Sequence, residues 1–217
     1  MNKKIWEYCR VVRNFFKKKK LENSDMSVFC NNCVGAMVCH DLGLRFNSPT
    51  VNLWMTPHDY IEFLRIVIVE RKEYRIEEVD PPILPNTYKI GDDRTCPKGL
   101  LNGMCKIYFK HYPTFIDAIQ KWNSRFARIN LDNSFFILIE RDGCTYNDLK
   151  QFDSLPLKNK LMIVHKDYPE FKSSWVCPES NSLQEVPDLT KKVSWHGERG
   201  YDIFDWVYWF NTSIKYR

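Results

Sequence analysis

Ser134-Phe135-Phe136-Ile137-Leu138-Ile139-Glu140 is the stretch that decides the fold, together with the helix and strand that follow it. Phe135–Ile139 is apolar without alternation, as a strand reads when both its faces are covered. Thr145–Leu155 has the pattern of an amphipathic helix, and Leu161-Met162-Ile163-Val164-His165 is a second buried strand. Outward from this unit, Ser27–Asn31 reads as a strand turned by Asn31-Asn32 into a short apolar helix over Cys33–Asp41, stopped near Gly43. Thr50–Met55 reads as another strand. Thr56-Pro57 caps and starts a buried helix that runs to about Tyr74. Residues 80–85 form an extended connection, and 88–103 are loop-rich. Met104–Lys110 is a further strand. Pro113 to about Asn130 is a long helix with Phe115, Ile119, Trp122, Phe126 and Ile129 as its core stripe. Residues 178–200 are polar, and Asp202–Phe210 is an aromatic last helix. Helices that alternate with continuously apolar strands predict an α/β fold, a largely parallel sheet flanked by helices.

The 217 residues suit one domain. With 44% hydrophobic residues the chain can fill a core, which excludes a disordered protein; only 8 glycines exclude collagen-like and linker readings. No segment has the roughly 20 apolar residues of a spanning helix, and the basic N-terminus lacks the apolar region of a signal peptide. The chain is therefore expected in the cytoplasm, with most of its 8 cysteines as thiols.

Charge is unevenly placed. Residues 1–20 hold eight lysines and arginines against Glu7 alone, whereas the rest of the chain holds slightly more acids than bases. Ile5, Trp6, Cys9, Val12, Phe15 and Phe16 recur at helical spacing among these cations. The expected organisation is a basic amphipathic arm (1–23), an α/β core (24–180), and a polar loop with an aromatic helix packed on the core (181–217). A basic helix with a Trp/Phe face reads as an anionic-membrane element, peripheral on the inner face of the plasma membrane. The alternative is a helix packed on the domain. Nucleic acid is not expected as a partner, because the body has no basic bias.

Open α/β sheets carry their sites beyond the carboxyl ends of the strands. The residues at those ends are Asn31, Asn32 and Cys33; His111; Glu140, Arg141, Asp142 and Thr145; and His165. Cys33 stands where a strand passes into a helix N-terminus, a setting that lowers a thiol pKa. Gly35-Ala36 beside it would allow close approach of backbone or substrate. Cys33 is thus the candidate nucleophile, His165 its first candidate base and His111 the second, with Glu140 and Asp142 as candidate catalytic carboxylates. Asn31, Asn32, His111, Arg141 and Thr145 are candidate substrate contacts. The bland reading makes Cys33 a small packing residue. Cys30-Asn31-Asn32-Cys33 is also a CxxC, but the chain around it does not continue as a thioredoxin-like fold. The remaining cysteines have no paired zinc-ligand spacing. No GxGxxG or P-loop is present, and no cofactor is named by the sequence. Lys121, Arg125 and Arg128 share a helix face opposite the core stripe, which suits solvent or a phosphate.

Several ordered motifs carry a resemblance: Asn31-Asn32-Cys33-Val34-Gly35-Ala36, His40-Asp41-Leu42-Gly43-Leu44-Arg45-Phe46, Ser48-Pro49-Thr50-Val51-Asn52-Leu53, Lys121-Trp122-Asn123, Arg128-Ile129-Asn130, Glu140-Arg141-Asp142-Gly143-Cys144-Thr145 and Lys158-Asn159-Lys160. Over about residues 24–176 the chain resembles a bacterial family called domain of unknown function nineteen-nineteen, whose members are often labelled exopolysaccharide or capsule biosynthesis proteins. Cys33 matches the family position. The family has Ser in place of Cys30, which undercuts a redox pair, and a second Gly in place of Ala36. The resemblance implies an α/β fold and a role in making a surface glycan. With the thiol it suggests a Cys-dependent acyl (acetyl) transferase acting on a glycan or activated-sugar precursor. The alternatives are a non-catalytic glycan- or nucleotide-binding accessory protein, or a glycosyl- or phosphoryl-transferring enzyme using Glu140 and Asp142.

Overall fold

The chain runs from α1 (Lys3–Lys20) through β1 (Ser27–Cys30) to α2 (Cys33–Leu42) and α3 (Pro57–Phe63), which continues as a π-helix over Leu64–Val69. Then come β2 (Ile76–Val79), β3 (Lys98–Leu101), β4 (Cys105–Tyr108) and α4 (Phe115–Phe126). The second half adds β5 (Ser134–Ile139), α5 (Tyr146–Ser154), β6 (Lys160–Val164), β7 (Ser174–Val176) and α6 (Trp206–Thr212). This computed structural model describes residues 3–80, 95–180 and 182–213. The connection expected over residues 81–85 lies outside them, as does part of the loop-rich stretch after it.

The fold is α/β. Its centre is a four-stranded parallel sheet in the order β1-β5-β6-β7. Every residue of β5 is buried, which explains its unbroken apolar run: it has a strand on each side and a helical layer on each face. Side chains alternate across the sheet. Phe29, Phe136, Leu138, Met162 and Val164 meet α3, the π-helix, α4 and α5 on one face. Val28, Cys30, Phe135, Ile137, Ile139 and Ile163 meet α2 and α6 on the other. Each Val, Leu, Ile, Phe or Met side chain among them contributes about 1.5–3 kcal/mol on burial.

The antiparallel meander β2-β3-β4 forms a separate three-stranded sheet. The Met104–Lys110 strand thus belongs to this meander and not to the parallel sheet. Thr50–Met55 is not a strand: it holds one isolated bridge, Trp54 to Tyr108. Val51, Leu53 and Met55 are buried in the core without a ladder, so burial alone produced the strand-like alternation. The helix after Pro57 ends near Val69, short of Tyr74. Arg125 is buried and donates to Val51 O (3.1 Å) and to Tyr112 Oη, while Arg128 donates to Phe46 O (2.9 Å). Arg125 of α4 and Arg128, two residues past its end, hold the 46–51 segment rather than a phosphate.

Gly35 is required by the strand-to-helix passage. A Cβ there would lie 2.6 Å from Cys30 Cβ, so the close approach is that of α2 to its own strand and not of a substrate. Gly35→Ala is expected to lower stability by about 1–3 kcal/mol through overpacking, read as a fall in melting temperature. An unchanged melt would show that α2 shifts freely on β1.

The arm is docked. Trp6, Arg10 and Asn14 are its buried residues, which corrects the expectation of a Trp6-bearing outer face. Arg10 donates to Asp202 (2.9 Å), to Gly197 O (2.6 Å), to Asp41 and to Tyr201 Oη. Lys17 reaches Asp202 (2.6 Å) and Arg13 reaches Glu198. Gly197, at φ +86°, lets its loop press on the helix: a Cβ would meet Arg10 N at 2.5 Å. Among the described residues no helix is long and apolar enough to cross a membrane.

Candidate active site

After β1 the chain enters α2 on one face of the sheet; after β5 it enters α5 on the other. Adjacent strands whose continuations diverge leave a crevice at their carboxyl ends. A cleft of about 350 Å³ opens there, lined by Asn32, Cys33, Val34, Trp54, Lys110, His111, Ile139, Arg141, Asp142, Asp188, Leu189 and Thr190.

Cys33 is the first residue of α2. Asn32 caps the helix, its side chain accepting from Val34 N at 3.0 Å. The thiol meets His111 Nε2 at 3.4 Å. His111 arrives from the antiparallel meander. Trp54 N donates to Tyr108 O and Tyr108 N to Trp54 O, both at 2.9 Å, and this bridge brings β4 to the crevice. Tyr112 Oη ties the next residue to Val51 O at 3.1 Å.

Two titrating groups meet in this contact. Burial pushes the Cys33 thiol up to about 11, with Lys110 opposing the shift and Asp188 adding to it. This corrects the expected lowering at a helix start: removal from water outweighs it here. Burial, and then Lys110, hold His111 below the ordinary imidazole value. At neutral pH the pair is therefore a thiol facing a neutral imidazole. A His111 that accepts at Nε2 carries its proton on Nδ1. This is a general-base arrangement, not a preformed thiolate–imidazolium pair.

The walls carry both signs of charge. Lys110 Nζ stacks 5.2 Å from the Trp54 ring. Trp54 Nε1 donates to Asp142 (3.0 Å), which also pairs with Arg141 Nε at 3.3 Å. Asp142 and Gly143, at φ +58° and +82°, make the tight turn after β5, a conformation that Asp and Gly tolerate. Arg141 Nη1 is buried with no partner among the described residues, a donor that a ligand's acceptor would satisfy. Burial would raise the Asp188 carboxyl, but hydrogen bonds from Thr190 and the charges of Arg141 and Lys191 hold it below its usual range.

Other candidates fall elsewhere. Glu140 shares its face of β5 with Phe136 and Leu138, the face opposite to that of Ile139 and Arg141. There it is buried, accepting from His165 N and Nδ1 at 2.7 Å each and from Tyr168 Oη at 2.8 Å. His165, the first-choice base, follows β6, and β5 stands between β6 and β1. Two strand spacings are about 10 Å, and neither His165 nor Glu140 lines the Cys33 cleft. Asn31 is buried and pairs with Ile139 N (3.0 Å) and O (3.3 Å), extending the β1–β5 ladder. Thr145 and Asp148 form the capping box of α5. Cys30 lies in the core, where burial raises its thiol to about 12. All eight cysteines are free.

Trp54, Lys110 and Asp188 were missed by sequence reasoning. The signal for Asp188 was faint: Val186 and Leu189, apolar in a polar loop, are both buried and anchor it. A larger cavity, of about 460 Å³, opens between α1 and α6. It holds no thiol or imidazole, and its Arg13 and Lys17 are already paired, so the Cys33 cleft is the stronger chemical candidate.

An α/β protein with a Cys–His contact at the carboxyl edge of its sheet is thereby defined. Residues 4–211 match the family described as Domain of unknown function (DUF1919). The chain is 37% identical over 196 residues to a protein of Haemophilus influenzae described as "Uncharacterized protein", covering 90% of this chain and 89% of the relative. The chain belongs to the DUF1919 family.

Proposed function

We propose that this protein is an acyltransferase that works through a thioester on Cys33. The acceptor is a surface glycan or its activated-sugar precursor, in bacterial exopolysaccharide or capsule biosynthesis at the inner face of the plasma membrane. The observation that carries the reading is the 3.4 Å contact between Cys33 Sγ and His111 Nε2 inside the cleft. In the first step Sγ attacks the donor's acyl carbonyl and its proton passes to His111 Nε2. The bond to the donor's leaving group breaks, and that group takes the proton from His111. In the second step an acceptor hydroxyl gives its proton to His111 and its oxygen attacks the thioester. The thiolate leaves and is reprotonated. Lys110 and the unpartnered Arg141 Nη1 suit a donor or acceptor with anionic oxygens. Trp54 offers a flat apolar wall for a sugar ring. The glycan comes from the family's labelling, the acyl chemistry from the thiol.

An activated ester replaces the unidentified donor in the test. The full chain is incubated with p-nitrophenyl acetate near neutral pH and its mass followed, with peptide mapping. The expected result is one acetyl group, on Cys33, formed with release of p-nitrophenolate. Acetylation confined to other cysteines or lysines would overturn acyl transfer and leave the binding-protein reading.

A further inference from the structure

We infer that the outward face of α1 is a docking surface for an anionic lipid bilayer. A surface helix ordinarily turns its apolar stripe to the core and its charges to water. In α1 the order is inverted. The face against the body is Trp6, Arg10 and Asn14, with Arg13 and Lys17 at its margin, all ionic reach being taken up by Asp41, Asp202 and Glu198. At 3.6 residues per turn, the opposite side of the cylinder carries Ile5, Tyr8, Val11, Val12, Phe15 and Phe16. All six are exposed, Phe15 by 51% and Phe16 by 58%. The two rings meet edge to face at 5.7 Å, and Lys19 Nζ stands 4.6 Å over Phe15.

Charge complementarity selects the occupant. Of the exposed lysines, Lys4 and Lys19 lie within the arc of this stripe and Lys18 borders it, its stem against Gly43. Lys20 stands at the helix end beside the α1–α6 cavity, and Lys3, on the body side, is 4.0 Å from Glu7. A second copy of the chain would set one lysine cluster against another, a repulsive arrangement. An anionic headgroup layer offers phosphates to the lysines and an acyl boundary to the aromatic and aliphatic side chains. The helix then lies in the interface with the body hung beneath it through Arg10. This docking stands on α1 alone and does not depend on the chemistry at Cys33.

The test is co-sedimentation of the full chain with vesicles of phosphatidylglycerol and phosphatidylcholine, beside vesicles of phosphatidylcholine alone. The expected result is at least tenfold stronger partitioning to the anionic vesicles, weakened as salt rises. Phe15→Ser with Phe16→Ser, at exposed positions, should reduce partitioning at least tenfold with an unchanged melt. Lys18→Gln with Lys19→Gln should reduce it by roughly fivefold per charge. Cys33→Ala should leave it unaltered, which separates docking from catalysis. Equal binding to both vesicle types, wild-type binding by the Phe15/Phe16 variant, or no binding at all would overturn the inference. So would a lipid-free dimer that the Phe15/Phe16 variant dissolves, since the face would then be a self-association surface.

Discussion

Cys33→Ala is expected to abolish the acetyl adduct formed from p-nitrophenyl acetate, and His111→Gln to slow its formation about 10²- to 10⁴-fold near neutral pH. Both effects follow from the contact between thiol and imidazole. A thiol held up at about 11 has almost no thiolate at neutral pH, so its reaction depends on a base that takes the proton during attack. Glutamine keeps much of the imidazole's bulk and polarity but removes that base. His165→Gln should change the rate little, because His165 is bonded to Glu140 and lies outside the cleft. Rates from the single variants, with circular dichroism as a control for folding, check the assignment. A His165 variant as impaired as the His111 variant would move the base to the other side of β5.

Arg10→Ala is expected to destabilise the fold by about 3–5 kcal/mol. The guanidinium joins Asp41, Asp202, Tyr201 and Gly197 O at a junction that is largely buried. Its removal takes the shared cation from Asp41 and Asp202, leaving Tyr201 Oη as a donor to Asp41 and Lys17 as the remaining cation on Asp202. The melting temperature should fall by roughly 10 °C for a chain of this size. Burial would raise Asp202, but hydrogen bonds from Lys17, Arg199 N and Arg10 hold it below its ordinary value of 3.8. A depressed carboxylate stabilises the fold above its unfolded pKa, and that contribution is lost as pH falls through the folded one. The wild-type chain should therefore lose stability below about pH 4, and the variant should lose less over the same window. Equal melts at neutral pH would show that α1 is not held by this junction. For the same reason a chain shortened to begin at Leu21 tests folding as much as membrane binding.

Much of the centre was legible because one physical cause acted there. Phe135–Ile139 is apolar throughout since β5 is covered on both faces, and Cys33 was locatable since Asn32 caps the helix that it begins. Thr50–Met55 misled because core burial without a ladder gives the same alternation as a half-buried strand. The choice between His165 and His111 turned on two facts that local sequence does not carry. Glu140 falls on the face of β5 away from Cys33, and the Trp54–Tyr108 bridge draws the meander to the crevice. In the arm, periodicity marked the apolar stripe but not its direction. Arg10, Arg13 and Lys17 find their acids at Asp41, Glu198 and Asp202, partners distant in the chain. With the cations inward, the apolar side chains were left outside.

The pH dependence of Cys33 acetylation tests the general-base pair most directly. Wild-type protein should acetylate at a rate that rises as His111 loses its proton, below the ordinary imidazole value of 6.5, and then stays level between about pH 7 and 9. The His111→Gln variant should show no such plateau. Its rate should climb about tenfold per pH unit with the thiolate fraction, bending only near the thiol's own value of about 11. Two profiles that superimpose, both climbing with the thiolate, would contradict a thiol activated by His111.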